Sequence, residues 1–332
     1  MPPHHADHGR QITGRRIACA ITGLAVSLMT ATQFAAPARA DAIRIPGDKT
    51  YPESITSTAD GTVIIGSLGT GEIWRAAPGA STAELWIKPG TNGMLSALGV
   101  LADDRSGTLW VCSSDLSEAG VRLTEGKKPV ALKSFDLTSG APKASIPLPG
   151  DRTLCNDMVT APDGTLYVTD SFSPHILRLK PDARQFEVWA EDPRFSVKEG
   201  AGLDGIAIGA DGNVYTNTFN GGGLFRIERR KDGSAGKVTQ LMTSRKLVLP
   251  DGLRSYGDKL LMIEGEGRLD LVSVDGDKAS IEVVKDGYKA PVSVTKVGQT
   301  LWVLEGQLPH LFDPKTGKPD PFQATSLAAP PQ

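Results

Sequence analysis

Four oxygen-bearing side chains occupy the same place in successive copies of a repeated segment. Each lies six to eight residues before a turn glycine, at the start of a predicted strand: Glu53, Asn156, Asp204 and Asp251. Three carboxylates in a partly buried site repel one another, and their loss of hydration adds to the cost. A hard divalent cation such as calcium, which accepts six to eight oxygens, removes that conflict. The pattern predicts a calcium site, and the absence of Cys and His argues against zinc.

The alternative for any single one of these residues is structural. Asp and Asn are common where loops enter strands, because their side chains cap turns. Four such residues at one repeat position favour the metal site over capping. Asp157, which follows Asn156, is interpreted as a strand cap rather than as a ligand of a second ion.

The repeat itself consists of a strand, a glycine-containing turn and a second strand, and it occurs six times. The turn glycines, 41 to 57 residues apart, are Gly61, Gly107, Gly164, Gly212, Gly257 and Gly298. Third and fourth strands follow in most copies, which is typical of propeller blades. The sequence therefore predicts an all-β, six-bladed β-propeller of four-stranded blades over residues 41–324. A many-stranded β-sandwich is the alternative.

The predicted ring closes through the beginning of the chain. The sixth copy lacks a fourth strand after HLFD, and the segment AIRIP, residues 42–46, is expected to supply it. Residues 325–332 are predicted to be a disordered tail. Since the first strand of each blade lines the central channel, the four oxygen-bearing residues should meet at one mouth. Gly99 and, roughly, Pro291 hold the equivalent places in the second and sixth blades.

Residues 1–40 have the features of a secretory signal peptide. Basic residues precede an apolar run, Ile17–Met29, and the segment ends in a small-x-small pattern before Asp41. The run is too short to span a bilayer, and a buried N-terminal helix is the alternative. The prediction is export to the periplasm, by the Sec or the twin-arginine route, with no membrane contact in the mature form.

Charge and cysteine content restrict the partners of the mature chain. The first forty residues carry four Arg and one Asp, so the formal net charge changes from −2 to −5 on their removal. There is no basic stripe, so nucleic acid is not an expected partner. The mature protein is expected to be a monomer that acts on a small molecule. Its two cysteines, Cys112 and Cys155, could form a disulfide in an oxidising compartment, and the sequence leaves that pairing open.

These motifs resemble the senescence-marker-protein, gluconolactonase and luciferin-regenerating-enzyme family. The likeness covers the mature chain and rests on PES, CND, LDGIAI and LPDGL, which contain Glu53, Asn156, Asp204 and Asp251. It implies a six-bladed propeller with one catalytic divalent metal, usually calcium, and Asp251 as ligand and general base. Two departures are visible. Asp204 stands where the family usually has Asn, and Gly99 leaves no counterpart to the histidine dyad of the distantly similar paraoxonases.

The function predicted from these residues is hydrolysis of a lactone or related ester. A bound cation polarises the carbonyl group, and Asp251, or in second place Asp204, takes the proton from the attacking water. An alternative of a different class is a non-catalytic periplasmic propeller that binds a sugar or a protein and uses the metal structurally. A third is other enzyme chemistry, such as that of a lyase.

Two histidines and one insertion could contribute to the same face. His175 and His310 each follow a proline at the predicted start of a third strand, and they are candidates for substrate binding. Their alternative role is that of ordinary rim residues. The insertion at residues 114–129 of the second blade is either a lid over the site or a tolerated surface loop.

Overall fold

Almost all regular structure in residues 41–332, the part of the chain that this computed structural model describes, is β-strand. The predicted signal peptide, residues 1–40, lies outside the described residues. The strands are β1 (Ala42–Arg44), β2 (Pro52–Ser57), β3 (Val63–Ser67), β4 (Ile73–Ala76), β5 (Glu84–Ile87), β6 (Ser96–Asp103), β7 (Thr108–Ser114), β8 (Ala131–Asp136), β9 (Pro142–Pro147), β10 (Cys155–Thr160), β11 (Leu166–Asp170), β12 (His175–Leu179), β13 (Glu187–Glu191), β14 (Leu203–Ile208), β15 (Val214–Thr218), β16 (Gly223–Arg229), β17 (Ala235–Gln240), β18 (Met242–Thr243), β19 (Pro250–Tyr256), β20 (Lys259–Glu264), β21 (Arg268–Asp275), β22 (Lys278–Lys285), β23 (Pro291–Val297), β24 (Thr300–Glu305) and β25 (Gln323–Ala328).

The helical segments in these residues are short. One turn of α-helix, α1 (Pro309–Phe312), lies between β24 and β25, and the 3-10 turns are Thr91–Gly93, Ser117–Ala119, Pro193–Phe195 and Pro314–Thr316. None of the helices in the described residues has the length and hydropathy that a membrane crossing requires.

The strands form six sheets, and each sheet is one blade of a propeller. Blades one to four are β2–β5, β6–β9, β10–β13 and β14–β17; blade five is β19–β22 with β18 added at its edge; blade six is β23, β24, β25 and β1. Neighbouring strands are antiparallel except for β18, which pairs parallel to β22. The predicted six-bladed, all-β architecture is confirmed.

The turn glycines that defined the repeat have the backbone conformation that such a turn needs. All six have positive φ values: Gly61 (91°), Gly107 (59°), Gly164 (86°), Gly212 (78°), Gly257 (60°) and Gly298 (57°). A residue with a Cβ atom adopts this conformation only at a cost, so glycine marks the turn between the first and second strand of each blade.

Blade six closes the ring as predicted, but its remaining parts differ from the prediction. β1 pairs with β25, with Ile43 opposite Ala324, and so supplies the outermost strand. Residues 325–332 are not wholly a disordered tail, since β25 extends to Ala328 and is the third strand of the blade. The HLFD segment, which was expected near the third strand, instead forms the helical turn α1.

Six hydrophobic clusters hold the ring together, one at each interface between neighbouring blades. The cluster between blades one and two includes Ile64 and Val100, and the one between blades two and three includes Leu98 and Met158. Because the inner strands alternate buried side chains, each contributes to the clusters on both of its sides. This packing holds the starts of the six inner strands around one axis.

Candidate active site at the channel mouth

One small cavity at the channel mouth, the end of the ring where the inner strands begin, is lined by residues from all six blades. The four oxygen-bearing side chains predicted to meet there all line it, at 5–7% exposure: Glu53, Asn156, Asp204 and Asp251. Gly99 and Val292 complete the ring, so the blade-six equivalent is Val292 rather than Pro291. The cavity volume is about 10 Å³, the space that one water molecule or one ion occupies.

A repeated irregularity of the inner strands points these side chains into the channel. In all six blades the pairing of the first with the second strand shifts register, between Pro52 and Ser54, Ala97 and Val100, Cys155 and Met158, Leu203 and Ile206, Pro250 and Leu253, and Pro291 and Ser293. Each site residue lies inside such a bulge. An extra residue in one strand bends it and redirects the side chain, which explains why polar groups can begin an otherwise apolar strand.

In three blades a strained residue precedes the bulge. Tyr51, Leu249 and Ala290 have φ values of 39°, 52° and 42°, and each is followed by proline. Left-handed backbone at a residue with a side chain costs roughly 1–2 kcal/mol and persists only where the surroundings impose it. The strain recurs at the entry to the site in blades one, five and six, which marks this entry as a fixed feature of the repeat.

Asn156 is held in place by two hydrogen bonds of its amide nitrogen. Nδ2 donates to Ser171 Oγ at 2.9 Å and to Asp204 Oδ2 at 3.0 Å. Ser171 in turn donates to the backbone carbonyl of Leu203 at 2.5 Å. These bonds tie blade three to blade four and leave Oδ1 of Asn156 as the amide atom free to bind a ligand.

Burial and neighbouring negative charges raise the pKa values of Glu53, Asp204 and Asp251. Burial, and then the neighbouring charge of Asp157, raise the pKa of Asp204 to about 8, against the opposing effect of its hydrogen bonds with Asn156 and Asp251. Burial and then Asp204 raise the pKa of Glu53 and that of Asp251. Bound protons or a bound cation would each relieve this repulsion.

Arg254 is a charged group of the channel that the sequence reasoning missed. Its guanidinium donates from Nη1 to Asp157 Oδ2 at 2.5 Å and from Nη2 to Ser293 Oγ at 3.3 Å. Asp157 is therefore the partner of an ion pair rather than a simple strand cap. A signal was present in the sequence. Three residues after the site position, blade five has arginine, whereas the other blades have the uncharged residues Thr56, Ala102, Val159, Ala207 and Thr295.

The oxygen atoms that line the cavity are of the kind that a hard cation binds. The carboxylates are, however, not arranged around one position as metal ligands are. Glu53 Oε2 and Asp157 Oδ1 are buried and have no hydrogen-bond partner among the described residues. Yet within residues 41–332 no group of three or more His, Cys, Asp or Glu side chains has the arrangement of a metal site. A cation would have to draw Glu53, Asp204 and Asp251 toward itself.

Neither predicted substrate-binding histidine lines this cavity. His175 begins β12, as expected of a third strand, and its Nε2 lies 3.8 Å from Glu191 Oε2. His310 is in α1 rather than in a strand, and its Nδ1 is buried without a hydrogen-bond partner among the described residues. The structure places His310 in a separate groove on the same face.

The insertion of blade two is anchored at one edge. Leu116 and Val121 are buried in the cluster between blades two and three, and Leu308 and Leu311, from the segment around α1, contact the same cluster. Leu308 and Leu311 also contact the cluster between blades six and one. The two long connections therefore converge near the mouth, above blade one.

A disulfide joins Cys112 of β7 to Cys155 of β10, with Cα atoms 5.1 Å apart. Both cysteines are fully buried. The bond links blade two to blade three immediately before Asn156, so it fixes the strand that carries one of the four site residues.

Comparison with known proteins identifies the fold and leaves the activity open. No protein-family model and no curated protein sequence matches this chain. Among solved structures, a gluconolactonase from Xanthomonas campestris is 16% identical over 85% of this chain and 87% of its own, with a TM-score of 0.62. A luciferin-regenerating enzyme is 14% identical over 84% and 91%, with a TM-score of 0.62. Virginiamycin B lyase from Staphylococcus aureus is 16% identical over 80% of both chains, with a TM-score of 0.58. At these identities the likeness shows the fold alone.

Proposed function

We propose that this protein is a calcium-dependent hydrolase of a lactone or related ester. The observation that carries the proposal is the single cavity lined by Glu53, Asn156, Asp204 and Asp251 at the channel mouth. These residues would hold the ion, since carboxylate and amide oxygens are the ligands that calcium prefers. The structural likeness to a gluconolactonase agrees with this substrate class.

The bound ion would supply one piece of chemistry, the polarisation of the substrate carbonyl. The remaining steps belong to the chain. Asp251, placed at the mouth by the bulge of β19, accepts a proton from the attacking water as that water forms a bond to the carbonyl carbon. The acyl C–O bond then breaks, and the proton passes to the leaving alkoxide. In a lactone the alkoxide stays attached, so the product is a single hydroxy acid.

Asp204 is a neighbour of Asp251 in the cavity. Asn156 holds the Asp204 carboxylate through its amide nitrogen at 3.0 Å. Asp204 lies close enough to Asp251 for each to affect the pKa of the other. This contact makes Asp204 the second candidate for the base, and Glu53 and Asn156 are proposed only as ligands.

We also propose that the protein works in the periplasm as a monomer. The leader-like composition of residues 1–40 supports export. The disulfide between Cys112 and Cys155 agrees with an oxidising compartment.

A panel assay tests the proposed hydrolysis. Aldonolactones, aliphatic lactones and aryl esters are offered to the protein with calcium and with a chelator. Turnover of a lactone or ester that the chelator abolishes, and that is lost in Asp251→Ala, is the expected result. Asp258→Ala is the matched control, since Asp258 is exposed in the turn of the same blade. Turnover that survives exhaustive chelation would overturn the metal dependence.

A non-catalytic propeller with a structural ion is the second candidate. The small cavity volume of about 10 Å³ and the low exposure of its four side chains favour it, because they leave little room for a substrate beside an ion. Calcium would then raise the thermal stability without any turnover across the panel.

A further inference from the structure

A second concave site, which we call the cationic groove, lies on the same face as the cavity. Its volume is about 670 Å³, within the range of small-molecule sites. Its walls come from the connection before β2, the connection between β3 and β4, the insertion of blade two and α1. The residues on which the argument depends are Lys49, Tyr51, Arg122, Leu123, His310 and Leu311.

The charged side chains that line the groove are cations, although the charge of Asp48, outside the lining, adds to burial in raising the pKa of Tyr51. Lys49 and Arg122 are exposed, and neither forms an ion pair or a side-chain hydrogen bond with any described residue. No Asp or Glu is among the described residues that line the groove. Two other cations on this face are paired, Lys127 with Glu118 and Lys289 with Asp320. Two unpaired cations in a protein of negative net charge form a site for an anion.

Part of the wall of the groove is apolar. Tyr51 is 7% exposed and forms part of its floor, and Leu123 and Leu311 lie at its side with part of their surface accessible. His310 adds a ring whose Nδ1 is buried without a partner among the described residues. An occupant that satisfies both features carries a negative group at one end and an apolar portion along its length.

The groove adjoins the start of blade one, since Tyr51 lines the groove and Glu53 lines the cavity. Tyr51 and Glu53 are separated by one residue, so their Cα atoms lie at most about 7 Å apart. The groove and the cavity share no lining residue, but they are neighbours at the start of blade one.

We propose that the cationic groove binds the anionic, partly apolar portion of the substrate whose ester or lactone group reacts at the channel mouth. This inference rests on the proposed hydrolytic function for its catalytic part. The substrate class is thus a lactone or ester that bears a carboxylate or similar anion on an apolar chain.

Binding is measured first, without any chemistry. Titration of the wild-type protein with phenylbutyrate should show saturable binding that weakens as salt is raised, whereas the neutral phenylbutyramide should bind at least several-fold more weakly. Lys49→Met combined with Arg122→Met should raise the Kd for phenylbutyrate by roughly tenfold. The matched control is Lys198→Met combined with Arg184→Met, which removes two exposed cations elsewhere and should leave the Kd unchanged.

Turnover is measured second, with a para-nitrophenyl ester of suberic acid and the neutral octanoate ester of similar length. The groove double variant should lose roughly tenfold in kcat/KM for the anionic ester and keep its rate for the neutral one. Equal losses on both esters, or equal binding of phenylbutyrate and phenylbutyramide, would overturn the groove assignment. Binding as predicted with no turnover of any ester would leave the groove in place and reject the hydrolase.

Discussion

Arg254 Nη1 lies 2.5 Å from Asp157 Oδ2, and this pair stands in the same cavity as Glu53, Asp204 and Asp251. The channel therefore holds four carboxylates against one guanidinium. The pair is largely enclosed, with 21% of the Arg254 side chain and 6% of that of Asp157 exposed. Arg254 balances one of these charges, and one divalent ion would balance two more, which leaves a single negative charge in the cavity.

Replacing Arg254 by Met should lower stability and strengthen metal binding at the same time. The change leaves Asp157 unpaired, and loss of one partner of an enclosed pair costs on the order of 2–4 kcal/mol after allowing for the partial exposure of Arg254. The site also gains negative charge, so its calcium affinity should rise by about tenfold. Denaturant unfolding in chelator measures the change in stability, and calorimetric titration measures the change in calcium affinity. Unchanged stability would show that the pair contributes nothing, and Arg254→Met with Asp157→Asn should recover part of the loss.

The stability of the protein in chelator should fall as the pH rises. The pKa of Asp204 is about 8 in the folded protein and has an ordinary value of 3.8, so the unfolded chain releases this proton first. The stabilising effect of that proton is present below about pH 4 and is lost between about pH 4 and pH 8, by a few kcal/mol. Chemical unfolding across this range in chelator measures the slope.

Asp204→Asn is the control for that slope, since it removes the titrating group and should flatten the curve. Saturating calcium should flatten it as well, because an ion holds the carboxylates in their charged form. A wild-type protein whose stability in chelator is constant over the range would contradict the electrostatic account of the cavity.

Gly99→Ala should disturb the site without removing any functional group. A Cβ atom at Gly99 would lie 2.3 Å from the backbone oxygen of Asn156 and 2.9 Å from the Cα atom of Asp157. The backbone would have to shift, at a cost of about 1–3 kcal/mol, and would carry Asn156 with it. Gly265→Ala is the control, because its nearest contact, at 3.4 Å, is ordinary. If both variants had the same stability and activity, the backbone of blade three could shift away from the new Cβ atom without a cost in free energy.

Removal of the disulfide should destabilise the protein. The expected change in the free energy of unfolding follows from the length of the loop that the disulfide closes. Cys112 and Cys155 are 43 residues apart, and closing a loop of that length restricts the unfolded chain by about 4 kcal/mol. The double variant Cys112→Ala with Cys155→Ala should unfold at correspondingly lower denaturant concentration. Because the bond lies next to Asn156, calcium affinity should fall too. A double variant with wild-type stability would mean that the packing of blades two and three is sufficient by itself.

The sequence predicts the blades well because each is a local pattern. The turn glycines and the apolar runs recur in the same order in every blade, and the positions of Glu53, Asn156, Asp204 and Asp251 follow by counting back from the glycines. Prediction from the sequence fails where the repeat is interrupted. The long connection between β24 and β25 hides the third strand of blade six, so the sequence assigns its residues 325–328 to a tail that begins at residue 325. Arg254 was missed for a related reason, since its partner Asp157 is 97 residues away.

His310 shows a further limit of reading by position. A proline and an apolar segment around it suggest a strand, but the chain forms a helical turn here that packs the partly buried Leu308 and Leu311 against two clusters. Four residues are too few to show whether the apolar pattern has the period of a strand or of a helix. Contacts in the folded ring therefore decide between a strand and a helical turn here.

The pairing of β1 with β25 sets an order of events during synthesis. Blade six is completed by one of the earliest strands to leave the ribosome and by the last strand of the ring, so the final seam waits until Gln323–Ala328 have emerged. Until then Ile43 lacks Ala324, which lies opposite it in the sheet and belongs to the same apolar cluster. The nascent protein thus exposes an apolar edge that is prone to aggregation for most of its translation. Chaperones that bind such edges should therefore have their largest effect on folding at the junction of blades six and one.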